Sequence, residues 1–246
     1  MDRLSLLGLL LAVVAVVGGH YLEGGQLQQL FNPPALLIVV GGTLAAAAIQ
    51  SPADDFRRAL RLLRWLLRSP RYDFEAGVKE VVRWCGLARK DGLLALEKEV
   101  ARTPDPLVRG GLQLLVDGRR SEVIRAMLEV QLVAHEQRDL QGARVIESMG
   151  GYAPTLGILG AVIGLIQVMS SLADPEGLGA GIATAFVATV YGVGLANLLL
   201  IPLANKIKNR VLERYRYQEM MLEGLLSIAD GQSPQLIRQR LLGYLG

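Results

Sequence analysis

Gly150-Gly151-Tyr152-Ala153-Pro154-Thr155-Leu156-Gly157-Ile158-Leu159-Gly160-Ala161-Val162-Ile163-Gly164-Leu165-Ile166 carries no charged side chain and sits inside a charge-free run of 26 residues, 148–173. A helix needs about 20 apolar residues to cross the hydrocarbon core of a bilayer. The run meets that length. Ala153, Gly157, Ala161 and Gly164 fall at i, i+4, i+8 and i+11, a single small-residue stripe of the kind that lets helices approach closely in lipid. Pro154 removes a backbone donor, which can kink the helix and frees a carbonyl for another partner. The stretch reads as a membrane span built for close packing.

Three more charge-free runs surround it: 4–20, 27–53 with Pro33 and Pro34 near its start, and 177–205, which ends through Pro202. The first has 17 residues and could be read as the apolar part of a secretory leader. However, Val17-Gly18-Gly19-His20 is a poor cleavage site and a second apolar run follows closely, so a helical hairpin fits better. The last run contains Thr184-Ala185-Phe186-Val187-Ala188-Thr189-Val190-Tyr191-Gly192-Val193-Gly194, with a second small stripe at Ala185, Ala188, Gly192 and Ala196. Thr184 and Thr189 are hydroxyls in otherwise apolar helix. In ordinary helix packing they would bond back to their own backbone.

The charges are segregated. The chain has 246 residues, 51% of them hydrophobic and 20% charged, with a net charge of +3 and a mean hydropathy of +0.34. Arg3 is the only basic residue before Arg57; residues 51–150 hold 18 of the 26 Lys and Arg, and seven follow Pro202. The two connecting loops carry only Glu23, Asp174 and Glu176. The positive-inside rule then puts both termini and the large middle segment in the cytoplasm. The expected fold is all-α: a four-span polytopic helical membrane protein with a helical cytoplasmic domain between spans two and three. Its expected parts are a hairpin (1–50), the cytoplasmic domain (51–147), spans three and four (148–205) and a basic cytoplasmic tail (206–246).

The middle segment reads as helical throughout. Asp54-Asp55 opens an amphipathic helix with Phe56, Leu60, Leu63 and Leu67 on one face and Arg57, Arg61, Arg64 and Arg68 on another, ended by Ser69-Pro70. Coming directly after a span, the arginine face near Trp65 suits lipid headgroups, or is simply solvated. Further helices are expected over 74–88, 93–101, 106–115 and 121–147, the last long enough to run into span three. Arg89-Lys90-Asp91-Gly92, followed by Glu97, Lys98 and Glu99, reads as a turn displaying charge at a helix–helix corner.

Catalysis finds little support. His20 and His135 lack a metal-ligand companion at i+3 or i+4. Gly41-Gly42-Thr43 lacks the lysine of a phosphate loop. Cys85 is the only cysteine, which excludes an internal disulfide and any cysteine-based metal site. No catalytic residue, metal, cofactor or nucleic-acid partner is expected.

Residues 152–157 and 160–165, together with 184–192 and the exit proline Pro202, resemble the MotA/PomA family of bacterial flagellar stator subunits, within the MotA–TolQ–ExbB ion-channel superfamily. The likeness extends over essentially the whole chain. The four-span count favours the stator branch over TolQ and ExbB, which have three spans. The resemblance implies that Pro154 and Pro202 serve torque and that Thr189, with Thr184 nearby, faces the ion path. Ala161 stands where sodium-driven members carry a threonine, which implies H⁺ as coupling ion. Arg89 and Glu97, with Lys90 beside the arginine, match the family's rotor-contacting charges, although Lys98 departs from the more acidic sodium-type cluster.

Intramembrane carboxylates and other ionisable groups mark ion pathways, and none of the four runs carries Asp, Glu, Lys or Arg. The resemblance supplies the missing group: a MotB-like, peptidoglycan-anchored partner whose single span bears an aspartate, two copies lying inside a pentamer of this chain. The rotor protein FliG is the expected cytoplasmic partner, and the inner membrane the expected location. A TolQ/ExbB-type energiser of an outer-membrane system, or a non-conducting scaffold, would use the same small-residue stripes differently.

Overall fold

The computed structural model describes residues 3–67, 72–170 and 175–245, and side chains over 7–65, 72–170 and 178–245. Ser69-Pro70, Arg68 and Asp174 lie outside the described residues, as do the side chains of Arg3, Leu67 and Glu176. Helices account for nearly all of the described chain, and no strand occurs among the described residues.

The first helix, α1, covers Arg3–Leu22. Asn32 starts the second: its side chain accepts from the Ala35 amide, and Pro33 occupies the first helical position, where no intrahelical donor is needed. That helix runs as α2 (Pro33–Leu36), a π-helical turn (Leu37–Gly41) and α3 (Gly42–Gln50). Then come α4 (Ala53–Leu67), α5 (Phe74–Asp91), a 3₁₀ turn (Leu93–Leu96), α6 (Glu97–Arg102) and α7 (Pro106–Val116). The long helix α8 (Ser121–Ser170) has 50 residues and contains Pro154. It joins the expected cytoplasmic helix to the expected span without a break. After α9 (Pro175–Gly194) a π-helical turn (Leu195–Leu200) leads into α10 (Ile201–Ala229), and α11 (Pro234–Leu242) closes the chain.

The helix does not end at Pro202, the expected exit of the last span, but continues to Ala229. A proline cannot donate to the carbonyl four residues back, here Leu198. The turn just ahead of it widens, and the Ile201 amide bonds to Ala196, five residues back. Three helical stretches among the described residues are long and apolar enough to cross a membrane: Leu27–Gln50, a window within Ser121–Ser170 and one within Leu178–Ala229. Leu7–Leu22 forms a shorter apolar helix.

The chain divides into two units. The first comprises 1–69 and 139–208. Its interior is rich in small residues, Ala35, Ala47, Ala153, Ala185, Ala188 and Ala196, beside a few larger ones such as Val39, Leu62 and Ile207, while Leu37, Ile158, Ile166 and Phe186 lie exposed. Small side chains inside and large apolar ones outside is the reverse of a water-soluble core and matches helices packed in lipid. Here α4 buries Ala59 and Leu62 against Gly142 of α8. The helical spacing of Phe56, Leu60, Leu63 and Leu67 predicts an apolar face through Leu60, but Leu60 is exposed.

The second unit comprises 70–138 and 209–246 and has an ordinary core of large side chains, with Trp84, Leu96, Leu112, Ile124, Met221 and Leu226 fully buried. Residues 209–246, expected only as a basic tail, supply much of that core. Cys85 is free and buried, as a small apolar residue would be.

Candidate functional site

In the first unit, α8 and α9 meet backbone to backbone. A Cβ placed on Gly157 would stand 2.9 Å from the Ala188 carbonyl oxygen, and one on Gly192 would stand 2.5 Å from the Ala153 oxygen. Gly164 and Gly181 repeat this one helical stretch away: a Cβ on Gly164 would lie 2.8 Å from the Gly181 oxygen. Of the stripe that the sequence shows as Ala153, Gly157, Ala161 and Gly164, three residues form a helix–helix seam, whereas Ala161 is only half-buried and Gly160 packs on Ala188 in its place.

Pro154 is half-buried in this seam, one residue after the fully buried Ala153. Lacking an N–H, it leaves the Gly150 carbonyl without its helical donor, and Ile201 packs directly on Gly150. Thr189 has its Cα against Gly157, and Gly157 is one turn from both Pro154 and Ala161 along the same face of α8. Pro154 and Ala161 thus lie one turn to either side of Gly157, about 10 Å apart along α8, and Thr189 of α9 meets α8 between them. Pro202 lies 13 residues beyond Thr189, about 20 Å along a continuous helix, so it is not part of that contact.

The two threonines differ in setting. The Thr189 hydroxyl donates to the Ala185 carbonyl at 3.2 Å. Its side chain faces outward onto an apolar groove of about 750 Å³ lined by Leu9, Val13, Val193 and Asn197 among others. Thr184 donates to the Ala180 carbonyl at 2.9 Å and also accepts from the Asn32 side-chain amide at 2.9 Å. Beside it, the Tyr191 hydroxyl accepts from the Asn32 backbone N–H at 3.2 Å and donates to the Leu30 carbonyl. Asn32 and Tyr191 thus fasten the loop ahead of α2 to α9. Sequence reading passed over this pair. The Asn-Pro-Pro order signals a helix cap, but nothing local reveals a partner 152 residues away.

In the second unit, Arg89, Lys90 and Glu97 are all exposed. Gly92, at φ +83°, ends α5 and turns the chain into the 3₁₀ turn before α6. That conformation suits glycine, having no Cβ to clash. Arg89 and Lys90 fall in the last turn of α5 and Glu97 in the first turn of α6, so the corner displays both signs of charge. Glu99, two residues on, behaves differently. It is buried, accepts from Arg83 at 2.5 Å and lies 3.5 Å from Arg102. The Arg83 hydrogen bond outweighs burial and holds the Glu99 carboxyl below its ordinary range. Glu99 is a fastening of the fold, whereas Glu97 is free to meet another molecule. Among the described residues no group of three His, Cys, Asp or Glu could hold a metal ion.

The family models decide what this arrangement belongs to. Residues 99–241 match the MotA/TolQ/ExbB proton channel family, and residues 6–82 match the N-terminal region of Motility protein A. The chain belongs to the MotA/TolQ/ExbB proton channel family, on its Motility protein A branch. It is similar to Motility protein A of Bacillus subtilis, 39% identical over all of this chain and 91% of the relative. Chemotaxis protein PomA of Vibrio alginolyticus is 34% identical over 68% of this chain and 65% of PomA. The fold matches that of solved family members. A chain of C. jejuni MotAB superposes with a TM-score of 0.94 at 29% identity, over all of this chain and 96% of that one. A chain of the flagellar MotAB stator complex from Bacillus subtilis gives 0.91 at 39% identity, with the same coverage. Membership of this family, with apolar helices long enough to span, makes the chain a membrane-embedded protein.

Proposed function

We propose that the chain is the proton-conducting stator subunit of a bacterial flagellar motor, which with a MotB-like partner couples proton flow to torque. The carrying observation is the α8–α9 seam, which sets Thr189 against α8 between Pro154 and Ala161, within runs (148–173 and 177–205) that contain no Asp, Glu, Lys or Arg. A proton path needs such a group, so it must come from a second chain. The solved MotAB complexes, which pair a similar chain with MotB, support that reading. The match over residues 6–82 favours the flagellar branch over a TolQ/ExbB-type energiser.

In this account four spans cross the inner membrane, α1 contributing the first with 20 helical residues, about 30 Å. Both termini and 51–147 face the cytoplasm, following the distribution of Lys and Arg. Residues 1–50 form the outer hairpin, 148–205 the ion path and 206–246 the tail. Five copies surround two partner helices. Protonation of the partner's aspartate next to Thr189 and Ala161 changes how the seam packs on it. Thr184 acts on the ion path through its tie to Asn32, and Pro154 and Pro202 set the backbone of the two helices that move. At the cytoplasmic corner Arg89, Lys90 and Glu97 engage FliG by charge complementarity, which sets register and encounter more than raw affinity. Ala161, without a hydroxyl for a dehydrated cation, makes the coupling ion H⁺.

Co-expression with a MotB-like partner in a stator-deficient host tests the reading. Swimming and proton flux are expected for the wild-type chain and are expected to fall in Pro154→Ala and Thr189→Val. Unchanged motility in both variants overturns the assignment of the path.

A further inference from the structure

Helix α4 is fixed to α8 by one face only. Ala59 and Leu62, one turn apart, both meet Gly142, so α4 crosses α8 there. A Cβ on Gly142 would lie 3.0 Å from Leu62 and 3.3 Å from the Ala59 backbone. Arg58 reinforces the crossing with a 2.6 Å ion pair to the buried Asp139. At 100° per residue, Arg57, Arg61 and Arg64 share the opposite face. All three are exposed. Arg57 touches Asp54 at 3.8 Å, a contact whose side chains are 76% and 95% exposed, so it is screened and weak. Arg61 and Arg64 have no ion-pair partner among the described residues.

The depth of this face follows from two tethers. Only Ser51 and Pro52 separate α3, the end of an apolar span, from α4. Gly142 lies six residues before the charge-free run that begins at Ser148, about 9 Å along the helix. The headgroup layer on each side of a bilayer is about 6 Å thick, and arginine stems reach several ångströms toward it. Planar guanidiniums bind phosphate bidentately.

We infer that Arg57, Arg61 and Arg64 form a binding face for anionic phospholipid headgroups. The anion engages Arg61 and Arg64, which have no ion-pair partner among the described residues, and Arg57, whose contact with Asp54 is weak, while Arg58, on the flank that meets α8, is spent on Asp139. The face holds α4 at the membrane surface and so fixes the start of the cytoplasmic segment. It rests on the membrane-embedded reading above and adds a ligand to it.

The test uses the complex of the full chain with its MotB-like partner in nanodiscs of equal phosphatidylglycerol and phosphatidylcholine, with retained lipid quantified after extraction into detergent. Phosphatidylglycerol is expected to be enriched on the wild-type complex. The enrichment should fall about threefold or more in the Arg57→Gln, Arg61→Gln, Arg64→Gln triple variant. It should fall part-way in the single variants Arg61→Gln and Arg64→Gln, which disturb the exposed face least, and also part-way when the three become lysine, which keeps the charge but loses the bidentate fork. Arg89→Gln with Lys90→Gln should leave it unchanged. Equal enrichment in wild-type and glutamine variants overturns the inference, as does an equal loss in the Arg89/Lys90 variant. Displacement of phosphatidylglycerol by inorganic phosphate at fixed ionic strength would assign the face to a free anion and also overturn it. A complex that assembles and conducts protons without preferring the anionic lipid contradicts this inference alone and leaves the stator reading standing.

Discussion

The Asn32 side-chain amide donates to the Thr184 hydroxyl at 2.9 Å, joining the cap of α2 to α9 across 152 residues of sequence. Thr184 gives its own proton to the Ala180 carbonyl. Its donor is therefore used, and one of its two lone pairs is taken. The hydroxyl serves as a fastening between two apolar helices. Hydrogen bonds between membrane helices contribute about 0.6 kcal/mol on average, while losing an asparagine cap costs about 1 kcal/mol. Asn32→Ala should therefore destabilise the complex more than Thr184→Val, and Asn32→Ser, which keeps a capping oxygen but cannot reach Thr184, should match Thr184→Val. Thermal inactivation of proton flux measures the three. Equal stability of wild type and Asn32→Ala would remove the fastening.

The seam gives a sharper expectation. A methyl group at Gly192 would press on the Ala153 carbonyl and one at Gly157 on the Ala188 carbonyl. Both obstacles are backbone, so the helices must separate, and overpacking of this kind costs about 1–3 kcal/mol. Gly192→Ala should abolish swimming while the chain still accumulates in the membrane. The same change at Gly194, where nothing lies within 4 Å, should be tolerated. Swimming counts and immunoblots of membranes compare them.

Glu97 and Glu99 should separate function from stability. Glu97→Lys is expected to reduce torque and leave the second unit as stable as before, with partial rescue by a reversed charge on the rotor. Glu99→Gln removes the negative charge that pairs with Arg83, itself about half exposed, and should cost about 1 kcal/mol. The Glu99 carboxyl is held low by Arg83 in the folded chain. Its stabilisation is thus full above the ordinary carboxylate pKa, about 4.3, and is lost as pH falls through the lower folded value. Melting curves should lose stability in acid more steeply for wild type than for Glu99→Gln.

Ala161 bears on the ion. Swimming should collapse with a protonophore and ignore replacement of sodium by potassium. Strict sodium dependence would contradict the H⁺ assignment.

What the sequence made legible was whatever repeats along one helix. The charge-free runs, the stripe of Ala153, Gly157 and Gly164, the Pro33-Pro34 start and the Gly92 turn each depend on residues a few positions apart, and the structure keeps them. Contacts between distant segments were invisible. Tyr191 bonding to Leu30 and Arg58 pairing with Asp139 are of this kind. Charge also misled: Glu99 looked like Glu97, and the basic residues of 206–246 drew attention away from Met220, Leu225 and Ile237, which are fully buried. On α4 the alternation of leucine and arginine allowed two apolar faces. The glycine at 142, far along the chain, decides between them by admitting Ala59 and Leu62.

The central claim is that this chain is one half of a proton path, because its four apolar runs contain no carboxylate to carry the proton. Proton flux into proteoliposomes, measured for the chain alone and for its complex with a MotB-like partner, tests it most directly. The account predicts no flux above background for the chain alone, and flux in the complex that disappears when the partner's intramembrane aspartate becomes asparagine. Proton conduction by the chain alone, or undiminished flux with that asparagine, would contradict it.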